Sequence, residues 1–226
     1  MSMERIGVES VCPTADMTAE DLRRLQAFGC FTDGRSRDYR NLAIADLEQT
    51  VISLLKPSRA AHVLGCRDTA VALAKRWGAD ETDAARAGLL HDITKALDGP
   101  LQLTLCREYG IVLDVFSTRN PKTLHALTGS LVADRVFGEN QAVVDAIRAH
   151  TTGKANMNTL EKIIYVADYM EPNRTFDGVD ELRRLAFADL DEALKLGLQM
   201  TLDMLKQQGR EISPESAQAL DYLNQK

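Results

Sequence analysis

Apolar residues recur every three or four positions through nearly every segment after residue 41, and this spacing restricts the fold more than any other feature. A half-buried strand needs alternation of apolar and polar residues, and no stretch alternates for long enough to build a sheet. The run 42–56 (LAIADLEQTVISLLK) places Leu42, Ile44, Leu47, Val51, Ile52, Leu54 and Leu55 mostly on one side of a helix. Pro57-Ser58 breaks that run and predicts an N-cap for a second helix over about 59–77, which Gly78 ends. A third helix is expected over 81–95, stopping before Gly99-Pro100, and a shorter helix with a loop should fill 100–120 up to Asn120-Pro121. Helices are then expected near 122–137, 140–149, 158–170, 179–187, 189–208 and 214–224. The fold class is all-α.

Residues 1–41 have a different texture. Thr18 and Asp21 predict a capping box opening a short helix over 19–28, and Asp33-Gly34 predicts a turn. This turn-rich, weakly periodic stretch is an N-terminal appendage of unknown role, and 42–226 is the main domain. Lys and Arg number 27 against 33 Asp and Glu, a net charge of −6, which argues against a general nucleic-acid binder. It leaves room for a small anionic substrate, since one pocket can be basic while the whole is acidic. No apolar run approaches the roughly 20 residues of a membrane span, and the N-terminus lacks a signal region. Cys12, Cys30, Cys66 and Cys106 are widely spaced and read as reduced, mostly buried thiols of a cytoplasmic protein.

The chain has four histidines, His62, His91, His125 and His150, each on or beside a predicted helix. His91 is followed directly by Asp92, and Asp168 stands in the apolar string IIYVADYM. A buried aspartate in such a string needs compensation, and a metal ion supplies it. Imidazole and carboxylate ligands without thiolates suit iron, manganese, zinc or similar cations. Neighbouring side chains on a helix diverge by about 100°, so His91 and Asp92 cannot chelate one ion as a pair one turn apart would. A carboxylate has two oxygens, however, and can bridge two metals about 3.5–4 Å apart, the arrangement that clamps both oxygens of a phosphoryl transfer. Ala87 and Gly88 would let a neighbouring helix approach this pair closely.

The order His62, His91-Asp92, His125, His150, Asp168 resembles the HD superfamily of metal-dependent phosphohydrolases. The words PSRAAHVLG, GLLHDITK, LHALTGSLVA, AIRAHTTGK and LEKIIYVADYMEPNRTFDGVDELR are similar to those of its YqeK family, over about residues 44–210. That resemblance implies an HD-domain helical bundle and symmetrical hydrolysis of diadenosine tetraphosphate to two ADP by metal-activated water. It further implies that His62, His91, Asp92 and Asp168 hold one metal, while His125 and His150 hold a second with Asp92 bridging. The implied cofactor is iron, as a dinuclear centre, other divalent metals being alternatives.

Asp92, His91 and Lys95 are the expected catalytic residues. The resemblance puts Arg59, His62, Lys95, His125, Thr151 and Arg174 at the nucleotide. Arg59 lies one turn before His62, and Lys95 three residues after Asp92, on the sides that face those ligands. Plainer readings stand beside these: solvated charges for Arg59 and Lys95, a helix cap for Thr151, an ion pair with Asp177 or Asp180 for Arg174. Glu161, seven residues before Asp168, either orients a ligand or pairs with a neighbouring helix, and Lys122 and Arg148 add positive charge. Cys66, Ala70, Leu73 and Trp77 form a stripe that reads as core. Leu194, Leu198, Leu202 and Leu205 either complete the core or offer a homodimer face. The alternative functions are an HD phosphohydrolase for a deoxynucleotide, alarmone or cyclic nucleotide, and a non-catalytic nucleotide-binding helical protein.

Overall fold

A computed structural model describes residues 17–32 and 39–225, which fall into two units divided between them. In the first, helix α1 (Ala19–Ala27) opens with the expected capping box: the Thr18 hydroxyl accepts from the Asp21 amide at 3.1 Å, and the Asp21 carboxylate accepts from the Thr18 amide at 3.3 Å. The predicted turn at Asp33-Gly34 and the residue Cys12 lie outside the described residues.

The second unit is all helix, with no strand among the described residues. It runs through α2 (Ile44–Leu54), α3 (Pro57–Trp77), α4 (Glu81–Leu90), α5 (Gly99–Glu108), α6 (Val115–Arg119) and α7 (Leu124–Val132). It continues with α8 (Gln141–Ala149), α9 (Thr159–Met170), α10 (Val179–Ala188), α11 (Leu190–Gln207) and α12 (Pro214–Asn224). Asp80, Asp98, Asn140 and Asn158 cap α4, α5, α8 and α9 by accepting the amide of the third helical residue. Ser58 does not cap α3 as expected. Pro57 is the first helical residue and Lys56 the N-cap, because proline's fixed φ suits the first turn, where its missing N–H costs nothing. Gly78 ends α3 in the left-handed region at φ 72°.

Two expected helices change character. The one predicted over 81–95 stops at Leu90, so the His-Asp pair is not on a helix: His91 is the C-cap and Asp92 stands in the following turn. The backbone switches there to bonds three residues back, Ile93 to Leu90, Lys95 to Asp92 and Leu97 to Thr94, at 2.9–3.0 Å. Tertiary bonds hold it off the helical path. Gln102 Nε2 donates to the Thr94 carbonyl at 2.8 Å, and the Thr94 hydroxyl donates to the His125 carbonyl at 3.1 Å. The helix expected over 122–137 is divided into a 3-10 turn at Pro121–Thr123, α7, and a π turn at Ala133–Phe137.

The core forms where α3 lies along α4, both meet α9 and α4 also meets α8, with α7 behind α8 and α10, α11 and α12 stacked beyond α9. Val63, Cys66, Ala70 and Leu73 of α3 are fully buried, so the stripe is core as expected; Trp77 ends it, its indole N–H donating to the Ala186 carbonyl at 2.8 Å. Leu194, Leu198 and Leu202 are buried on α11 and complete the core. Cys66 and Cys106 are free, buried thiols, the latter pushed up to about 11 by burial. No described helix is long and apolar enough to cross a membrane.

Gly88 is the contact that lets α3 and α4 close. A Cβ there would stand 2.7 Å from the Arg67 Cα, a backbone atom with no freedom to move aside. Gly88→Ala is therefore expected to destabilise the fold by about 1–3 kcal/mol, the usual cost of overpacking. A urea midpoint equal to that of the wild type would contradict this account of the helix pair.

Candidate metal centre

The expected ligands are brought together from five elements, and most stand at helix ends. His62 is on the second turn of α3, His91 caps α4, Asp92 follows in the turn, His125 opens α7, His150 caps α8 and Asp168 is on the last turn of α9. His91 is 0% exposed, Asp92 1%, His125 and His150 3% and His62 7%.

Three of the rings are oriented by one local device. The Nδ1–H of His91 donates to the Gly88 carbonyl at 2.8 Å, that of His125 to Lys122 at 2.7 Å and that of His150 to Ile147 at 2.6 Å, always three residues back. For α4 and α8 these carbonyls belong to the last turn, where intrahelical partners run out. Burial pushes the His91 and His125 imidazoles well below their ordinary range and His150 down to about 4, so the rings are neutral near pH 7. With Nδ1 carrying the hydrogen, each Nε2 presents a bare lone pair to the interior.

Those nitrogens and the Nε2 of His62 meet in two sets around one carboxylate. His62 Nε2 and His91 Nε2 are 3.3 Å apart, each 3.7 Å from Asp92 Oδ2. His125 Nε2 and His150 Nε2 are 3.2 Å apart, at 3.5 and 3.8 Å from Asp92 Oδ1. Each set satisfies the geometry of a three-residue metal group. Asp168 Oδ1 joins the first set, 3.1 Å from His62 Nε2 and 3.9 Å from His91 Nε2. Lone pairs and carboxylate oxygens packed this closely repel one another unless a cation lies among them, so the donor set fits divalent metal.

The expected substrate residues lie at the edge of this centre. The Arg59 guanidinium pairs with Asp92 Oδ2. Lys95 Nζ lies 2.7 Å from His125 Nε2 and 3.8 Å from Asp92 Oδ1, and burial lowers its ammonium to about 8. The Thr151 hydroxyl lies 3.0 and 3.1 Å from the Nε2 atoms of His125 and His150. Arg174 pairs with neither Asp177 nor Asp180. Its guanidinium donates to the Asp168 carbonyl at 2.9 Å and to Asp168 Oδ1 at 2.6 Å, holding that carboxylate toward the histidines. A cleft of 570 Å³ opens from Lys95, His125 and Thr151 toward Phe116, Leu205 and Arg210, with Lys122 on its wall and Arg148 outside it.

Glu161 does not orient a ligand. Its carboxylate accepts from the Asn158 amide at 2.8 Å, completing the capping box of α9, and pairs with Lys154 at 2.6 Å. The carboxylate that touches a ligand is Glu171, whose Oε1 is 3.1 Å from His62 Nδ1. Its signal in the sequence was its place in the word EPNR, three residues past Asp168. Arg183 was also missed: it donates to the carbonyls of Met170, Glu171 and Arg174 at 2.9–3.1 Å and fixes the loop that carries them.

An all-helical scaffold that gathers histidines and aspartates into two groups able to hold a metal ion defines a metal-dependent hydrolase of the HD class. The comparisons agree. The HD domain family matches residues 59–173, half of the chain. Symmetrical bis(5'-nucleosyl)-tetraphosphatase of Bacillus subtilis is 38% identical over 173 residues, covering 75% of this chain and 91% of that one. The protein of the same name from Staphylococcus aureus is 32% identical over 173 residues, covering 75% and 89%. The crystal structure of an HD superfamily hydrolase from Clostridium acetobutylicum, described as involved in NAD metabolism, superposes with a TM-score of 0.78 at 38% identity over 81% of this chain and 98% of that one. The chain belongs to the HD family, in the YqeK-type branch that carries the name symmetrical bis(5'-nucleosyl)-tetraphosphatase.

Because the two His/Asp groups are assembled by the native fold, a metal ion held there should stabilise that fold. A divalent cation at one hundred times its dissociation constant is expected to add about 2.7 kcal/mol. Asp92→Ala should lose most of that gain, since both sets share its carboxylate. Equal thermal shifts in wild type and variant would contradict the shared centre.

Proposed function

We propose that this protein hydrolyses diadenosine tetraphosphate symmetrically to two ADP, in the cytoplasm, on a dinuclear iron centre. His62, His91, Asp92 and Asp168 would hold one ion, and His125, His150 and the other oxygen of Asp92 would hold the second. The observation that supports this most is the division of labour at Asp92, one oxygen toward each imidazole pair, at the head of a cleft edged with cationic side chains. The names of the relatives from Bacillus subtilis and Staphylococcus aureus support the substrate.

When bound, the metals supply activated water and neutralise charge on the phosphate chain. The chain's own residues do the rest. Arg59 approaches one oxygen of Asp92 and Lys95 the other, so both cations stand within reach of a phosphate over the centre. Their positive charges hold its non-bridging oxygens, and Thr151 offers a hydroxyl beside His125 and His150. Arg174 adds positive charge at Asp168 and keeps that carboxylate in place. Attack at a β-phosphorus releases ADP, a good leaving group that needs no strong general acid, and no covalent intermediate is required. The cleft, within the roughly 300–1,000 Å³ of small-molecule sites, takes the remaining nucleotide. Its walls combine Phe116 and Leu205 with Lys122 and Arg210, apolar surface for a base and positive charge for phosphate.

Purified protein loaded with iron and offered dinucleoside polyphosphates and mononucleotides should yield ADP alone from the tetraphosphate. His91→Ala and Asp92→Ala should lower turnover by at least about 10²–10³-fold, the scale on which a key electrostatic stabiliser is lost, with helical circular dichroism retained. Cleavage confined to deoxynucleotides, alarmones or cyclic nucleotides would replace this substrate with another. Wild-type turnover in either variant would refute the centre.

A further inference from the structure

The four imidazoles are not held alike. His91, His125 and His150 rest on uncharged backbone carbonyls, whereas His62 directs Nδ1 at the Glu171 carboxylate, 3.1 Å away and 1% exposed. Glu171 is itself fixed. Its Oε2 accepts from the backbone amide and the side-chain amide of Asn173, both at 2.8 Å. Asn173 Nδ2 also donates to the Ala61 carbonyl at 3.3 Å, tying the group to α3. Gly65, one turn after His62, leaves the space: a Cβ there would stand 2.5 Å from Glu171 Oε2 and 3.3 Å from Asn173 Nδ2.

We propose that Glu171 is a positioning residue that makes the two halves of the centre unequal, so that the His62–His91–Asp92 half retains its cation more tightly than the Asp92–His125–His150 half. The inference rests on the dinuclear reading above. A carboxylate behind an imidazole fixes the Nδ1–H tautomer, aims the ring and strengthens Nε2 as a donor; loss of such a partner typically costs 10–100-fold in metal affinity. The surrounding charge acts in the same direction once every group is counted: Asp168 and Glu171 offset Arg59 and Arg174 in the His62 half, whereas Lys95 stands unopposed beyond the shared Asp92 in the other. Asp168 adds a second carboxylate to the His62 half, while the Lys95 ammonium stands 2.7 Å from His125 Nε2 in the other. Gly65 serves the first half purely by being small.

Manganese titrated into the chelator-stripped, full-length protein tests this, read by calorimetry and by the electron paramagnetic resonance of isolated against coupled ions. Wild type should fill in two steps, the tighter one giving the spectrum of a single isolated ion. Glu171→Gln should weaken the tighter step by about 10–100-fold and leave the weaker one unchanged, with the unfolding midpoint of the metal-free protein preserved. Gly65→Ala reaches the same carboxylate without removing it, and should weaken the same step even where Glu171→Gln folds poorly. Added to Glu171→Ala, which vacates the space, Gly65→Ala should cost no further affinity. An unchanged tighter step in both single variants, or equal weakening of both steps, overturns the role given to Glu171. A wild type that takes up no manganese defeats the dinuclear reading instead, and the proposal with it.

Discussion

Everything in this fold turns on keeping unprotonated imidazole nitrogens and a carboxylate in mutual contact inside an apolar core. Imidazole nitrogens 3.2–3.3 Å apart, grouped on both oxygens of a 1% exposed aspartate, are costly to assemble without a cation. The rest of the domain is arranged to bear that cost. Burial keeps His91, His125 and His150 neutral and backbone carbonyls fix their tautomers, while Arg59, Lys95 and Arg174 set positive charge directly against Asp92, His125 and Asp168.

Helix termini are the means by which a bundle does this. Side chains in mid-helix point in directions fixed by the helix, but a residue at a C-cap can fold back on a carbonyl of its own last turn. His91 and His150 both do so, and His125 repeats the bond at the start of α7. Close approach of the helices completes the geometry. A Cβ on Gly129 of α7 would come within 3.3 Å of the His91 carbonyl, as one on Gly88 would meet Arg67 of α3 and one on Gly65 would meet Glu171. Glycine at these places admits the contact between elements that carry different ligands.

Helical periodicity made nearly every helix of the main unit legible, and the scarcity of histidines marked the side chains that the fold brings together. What periodicity could not supply was the place where a helix is abandoned for tertiary bonds. The segment after Leu90 keeps an apolar, helix-like pattern, yet Thr94, Gln102 and Thr128 form a buried network that bends it away, with Thr128 donating to Gln102 Oε1 at 2.6 Å. The same limit explains Glu161 and Glu171. Spacing along α9 put Glu161 on the face of Asp168, but the choice between them depends on which carboxylate reaches across to α3, and that contact joins residues 109 positions apart. Arg174 was legible as a charge near the site, while its bond to Asp168 rather than to the acidic residues after it depends on how Arg183 folds the loop.

The central claim is that Asp92 stands between two cations. Anomalous diffraction from crystals of the metal-loaded protein, collected on either side of the metal's absorption edge, measures this directly. The account predicts two peaks about 3.5–4 Å apart, one beside His62, His91 and Asp168, the other beside His125 and His150, with the Asp92 carboxylate touching both. A single peak, or peaks that leave Asp92 or either histidine pair without a metal, would contradict it.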